Sequence, residues 1–177
     1  MTRPPFDAPS PEDIATVSRQ LGRPARDVVG IAARCVCGAP TVVSTRPRLS
    51  DGTPFPTFYY LTHPAATAAV STLEAEGQMP GFAALLVGDV ADQYRAAHEQ
   101  YIADRESIAV VDEVAGISAG GMPDRVKCLH ALVGHALAAG PGVNPIGDLA
   151  LERSAWSPLV CECVPEVSTV STSAEAS

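Results

Sequence analysis

Every strand-like run in this chain falls between residues 28 and 62, and the signals that follow are helical. That order implies an α+β fold: a small antiparallel sheet of about three strands, packed on a mostly helical domain of four to six helices. The runs are Val28 to Cys35, Thr41 to Thr45 and Thr57 to Thr62, each apolar and rich in β-branched or aromatic residues. Cys37-Gly38-Ala39-Pro40 is a tight turn between the first two. The link to the third, from Arg46 to Pro56, holds three prolines and Asp51-Gly52, so it is stiff and turn-rich.

Helix signals flank the sheet. Ser10-Pro11-Glu12-Asp13 combines a capping serine, a first-turn proline and acids that suit the helix dipole, and predicts a helix to about Gln20. Further helices are expected over Pro64 to Glu76, Phe82 to Val87, Asp89 to about Val111 and Pro123 to Ala139. Asn144-Pro145 caps a last one reaching about Arg153. The chain of 177 residues suits one domain, read as residues 10–164 between a flexible segment 1–9 and a disordered Ser/Thr/Glu-rich tail 165–177.

Hydrophobic residues make up 46% of the chain, so it can bury a core without a metal or disulfide. The net charge of -8 argues against nucleic acid and against an anionic membrane surface, but a small anionic ligand in a local basic pocket stays open. The first eleven residues lack the apolar run of a signal peptide, and no stretch is long enough to span a membrane. A cytoplasmic setting follows, in which the five cysteines are reduced and fit ligand or catalytic roles better than disulfides.

Cysteine and histidine cluster in short segments. Cys35-Val36-Cys37-Gly38 resembles a knuckle that aims two thiolates at one ion; on a strand the two would share a face about 7 Å apart. His63 stands at a strand-to-helix junction. Cys128, His130 and His135 follow on an expected helix. There Cys128 and His135 share a side but lie roughly 10 Å apart along the axis, too far for simple chelation, while His130 points to the opposite side. The expectation is a metal site of Cys35, His63 and Cys128, with Cys37 or His135 as fourth ligand, and with zinc ahead of an iron–sulfur cluster. A second Cys-x-Cys, Cys161-Glu162-Cys163, invites a four-cysteine site with Cys35 and Cys37. Its place beside the tail leaves those thiols free as the alternative.

Two other constellations carry chemistry. Ser118-Ala119-Gly120-Gly121 runs toward Arg125 and Lys127 at an expected helix N-terminus, and with Arg48 from the proline-rich loop would clamp a phosphate or carboxylate. Tyr94, His98, Tyr101 and Arg105 share one helix face, so His98, with His130, is a candidate acid/base group. No His-Glu-x-x-His occurs, and the sequence leaves open whether the protein is an enzyme, a binding protein or a noncatalytic interaction module.

Several longer words share one resemblance. Arg34-Cys35, Pro47-Arg48-Leu49, Asp51 to Thr57, Ala97-His98-Glu99, Ser118 to His130 and Gly142 to Asp148 resemble the bacterial domain of unknown function 501. The likeness covers roughly residues 10 to 160. It implies a cytoplasmic protein of a kind common in actinobacteria and carries no activity with it.

Overall fold

A computed structural model describes residues 4–163. Among them are three strands and six helices. Helix α1 is Pro11–Leu21, strand β1 Val28–Arg34, β2 Pro40–Thr45 and β3 Tyr59–Leu61. Helix α2 is Pro64–Ala75, α3 Met79–Ala83, α4 Gly88–Glu106, α5 Leu129–Ala139 and α6 Pro145–Arg153, with one 3-10 turn at Asp112–Val114. The α+β architecture therefore holds, with the expected antiparallel sheet in the order β1-β2-β3. The expected tail 165–177 lies outside the described residues.

Strand β2 is buried along its whole length because it is central and covered on both faces. Side chains alternate across a strand. Val43 accordingly packs with Ile31 and with Val17 of α1, while its neighbour Val42 joins the main core on the other side. That core holds Phe58, Tyr59 and Leu61 of the sheet region, Val70 and Leu73 of α2, Tyr94 and Tyr101 of α4, and Leu129 and Leu132 of α5. Near the N-terminus, Asp7 pairs with Ile31 in an isolated antiparallel bridge, and the Phe6 ring lies 5.8 Å from that of Tyr59.

The helix starts read from capping residues are borne out. The Ser10 hydroxyl accepts from the Asp13 amide while the Asp13 carboxylate accepts from the Ser10 amide, and Asn144 accepts from the Gly147 amide. One start differs. Residues from Pro123 do not join α5, which begins only at Leu129. Instead the amides of Arg125 and Lys127 donate back to the carbonyls of Gly121 and Gly120, closing a loop whose two glycines both have positive φ. Helix α4 also ends earlier than expected, at Glu106.

The expected polar stripe on α4 is largely internal. Tyr94, Tyr101 and Arg105 are buried. The Tyr101 hydroxyl accepts from the Phe58 and Tyr59 amides at 2.6 and 3.2 Å. The Arg105 guanidinium donates to the carbonyls of Pro56, Val114 and Ile117, tying two loops to the helix. No described helix is long and apolar enough to cross a membrane.

Candidate metal centre

Strand β1 ends at Arg34, and the chain then turns back on itself. The Cys35 amide donates to the Ala39 carbonyl at 2.8 Å and the Gly38 amide to the Cys35 carbonyl at 2.8 Å. Gly38 sits at φ 91, a conformation that a side chain resists. Arg34 fixes the turn from outside. Its guanidinium donates to the Gly38 carbonyl at 2.9 Å and forks onto the Asp13 carboxylate at 2.7 and 3.1 Å. That guanidinium holds the Asp13 carboxyl well below the usual carboxylate range.

The segment after α6 returns to this turn. Trp156 is buried and packs 5.3 Å from the His63 ring, and the Val36 amide donates to the Pro158 carbonyl at 3.2 Å. Those contacts carry Cys161 and Cys163 to the end of the hairpin. The sulfur atoms of Cys35, Cys37, Cys161 and Cys163 all lie within 4.8 Å of one another. The Cys37 and Cys163 sulfurs lie 3.4 Å apart. Cys35 is buried, Cys37 and Cys161 are exposed, and Cys163 is intermediate, so the group spans the surface from inside to outside. The Ala39 amide and the Cys163 thiol lower the Cys37 thiol to about 7. Burial pushes Cys35 and Cys163 up, the latter with a further contribution from neighbouring thiols.

His63 stands at the rim rather than among the sulfurs. It caps α2, and its Nδ1 accepts from the Ala66 amide at 3.4 Å. An accepting Nδ1 leaves the proton on Nε2, which faces the Cys163 sulfur at 3.3 Å. Burial lowers the His63 pKa and so favours this neutral form. His63 thus has the geometry of an N–H donor to a thiolate.

The remaining candidates lie elsewhere. Cys128 does not meet Cys35 or Cys37. Its sulfur groups within 4.8 Å of a carboxylate oxygen of Glu74 and a ring nitrogen of His130. Helix spacing set Cys128 and His130 on opposite sides, but Cys128 caps α5 in an extended conformation (φ -150, ψ 109), which frees it from the helical screw. His135 is fully buried, stacked 5.6 Å from the Tyr59 ring, with its Nδ1 accepting from the Asn144 amide group at 3.2 Å. His98 meets the Ser118 hydroxyl at 2.8 Å.

The proposed anion clamp is not assembled at a helix end. Gly120 and Gly121 form part of a closed loop instead of leading directly into α5, Arg125 and Lys127 are exposed, and Arg48 is paired with both carboxylate oxygens of Glu113 at 2.7 and 2.6 Å. The first amide of α5, that of Leu129, already donates to the Glu74 carboxylate at 2.7 Å. Glu74 is the residue that sequence reading missed. Nothing in the linear pattern separates it from Glu76.

A cavity of about 200 Å³ lies at the far end of the β1-β2 ladder from the cysteines, lined by Arg23, Arg26, Asp27, Thr45, Ser50 and Tyr60 among others. Comparison with protein families gave a match over residues 31–152 to a family described as "Protein of unknown function (DUF501)". Comparison with curated proteins and comparison with solved structures each gave no match.

Proposed function

Because the chain belongs to the DUF501 family, whose description assigns no activity, we propose a function from its own residues: it is a metal-binding protein in which Cys35, Cys37, Cys161 and Cys163 hold one zinc ion. The observation that carries this reading is the convergence of four sulfurs within 4.8 Å. Zinc–sulfur bonds of about 2.3 Å in a tetrahedron put sulfurs about 3.8 Å apart, well inside that span. An iron–sulfur cluster inserts its own iron and sulfide atoms between the thiolates and needs a wider cage. Soft thiolates also suit zinc over the hard divalent ions.

Four protein ligands leave no open position, so the ion is structural. It ties the segment after α6 to the β1-β2 turn, and His63 steadies the Cys163 thiolate through its Nε2–H. A reduced, cytoplasmic setting, where thiolates persist, belongs to the same reading.

Elemental analysis of the full chain, purified without added metal, tests it. The expected result is about one zinc per chain, falling to near zero in Cys37→Ser/Cys163→Ser. Less than ~0.2 metal per chain, in protein kept reduced throughout, overturns the proposal. A coloured protein with iron and sulfide in place of zinc overturns the identity of the metal.

A further inference from the structure

The second cluster, at the other end of α2 from His63, shares no residue with the metal centre. Three residues from two helices build it: the end of α2 supplies Glu74, the residue capping α5 is Cys128, and the first turn of α5 carries His130. All three side chains are partly exposed.

The protonation of His130 follows from what its ring nitrogens face. Nε2 lies 3.2 Å from the Thr67 carbonyl, which can only accept. Nδ1 lies 3.3 Å from the Glu74 carboxylate, which also only accepts when ionised. A ring with acceptors at both nitrogens is satisfied as the imidazolium. The Ser71 hydroxyl, 3.1 Å from Nε2, can serve either way. The cation stands within 4.8 Å of the Cys128 sulfur.

We propose that Cys128 is a reactive thiolate, held beside the His130 imidazolium and able to exchange with a small-molecule disulfide. The pair shifts in opposite directions, as an ion pair does: His130 chiefly lowers the Cys128 thiol, and Cys128 chiefly raises the His130 imidazole. The titratable groups facing the pair are Glu74 from α2 and Tyr101 from α4; Lys127, next in the chain, is exposed. The position of Cys128 at the start of α5 adds the favourable end of the helix dipole.

In the exchange, the Cys128 thiolate attacks one sulfur of R–S–S–R. A new Cys128–S–S–R bond forms as the old S–S bond breaks. The departing sulfur keeps the bonding pair and takes the imidazolium proton, leaving R–SH and neutral His130. No outside oxidant is needed, since the disulfide is itself the oxidant. Acyl transfer fits less well, because it calls on free amides to hold an oxyanion, and the Leu129 amide is already taken by Glu74.

The test follows alkylation of the full chain by iodoacetamide, peptide by peptide, from pH 5 to 10. Cys128 is expected to reach its half-maximal rate at least one pH unit below the ~8.5 of a free thiol. At pH 6.5 it should react about tenfold faster than in His130→Gln. With hydroxyethyl disulfide, the peptide holding Cys128 should gain one mercaptoethanol adduct, reversed by reductant. A wild-type profile centred on the ordinary thiol value overturns the proposal, as does the absence of an adduct at Cys128. A second metal ion per chain that disappears in Cys128→Ser also overturns it, since a ligated sulfur is not a free nucleophile. Each outcome is read at Cys128 alone, so it stands apart from the zinc count at the four other cysteines.

Discussion

Cys37 and Cys163 bring their sulfur atoms to 3.4 Å across a separation of 126 residues. A cross-link between such positions acts mainly on the unfolded chain, whose freedom it removes. For a closed loop of that length the chain-entropy relation gives about 5 kcal/mol as an upper value. Chelator treatment of the metal-loaded, reduced protein should therefore lower its melting temperature by roughly 5–15 °C. Differential scanning calorimetry with and without chelator checks this, and an unchanged transition would sink the structural role of the ion.

His135 supplies a pH dependence with a definite sign. Burial lowers its pKa to about 4, against ~6.5 in an unfolded chain. Above pH ~6.5 both states are neutral and nothing is lost. As the pH falls toward 4, the unfolded chain takes a proton that the folded one refuses. Stability should drop by about 3 kcal/mol over that window. Burial holds His98 below its ordinary value too, which adds to the trend. Urea titrations at pH 7, 5.5 and 4.5 measure the slope, and His135→Gln should flatten it by up to one proton. Equal slopes in the two proteins would mean that His135 takes no part.

Gly147 is a packing requirement rather than a turn. A Cβ there would run into the Leu132 carbonyl oxygen, where α6 crosses α5. Gly147→Ala should cost about 1–3 kcal/mol, visible as a lower denaturation midpoint. A neutral result would show that the two helices can separate without penalty.

Arg105 is buried with its charge bonded to three backbone carbonyls. Arg105→Met leaves those acceptors unpaired and should cost on the order of 3 kcal/mol or more. Arg105→Lys keeps the charge but loses the fork, so only part of the stability should return. Full recovery with lysine would show that charge alone, and not geometry, holds the two loops.

The sheet and most helices were legible because their signals are local. Ser10 with Asp13, Asn144 with Pro145, and the three β-prone runs each act within a few residues. The candidate site was legible in its parts, and its four-cysteine grouping only as an alternative to the site of Cys35, His63 and Cys128. Cys35 and Cys37 announce themselves by spacing, but their meeting with Cys161 and Cys163 depends on Trp156 and Pro158 returning the chain to the hairpin. Cys128 was read on a helical screw that it does not follow, because the loop closed by Gly120 and Lys127 delays α5 to Leu129. No propensity scale sees such a hydrogen bond.

The return of that last segment also sets an order of events in time. Cys35 and Cys37 leave the ribosome early, and their partners follow only after α6 has been made. Until then the nascent chain holds half a set of sulfurs on an unguarded turn. On the proposed zinc reading, capture of an ion by all four would be a late step of maturation, open only to chains whose synthesis has passed Cys163.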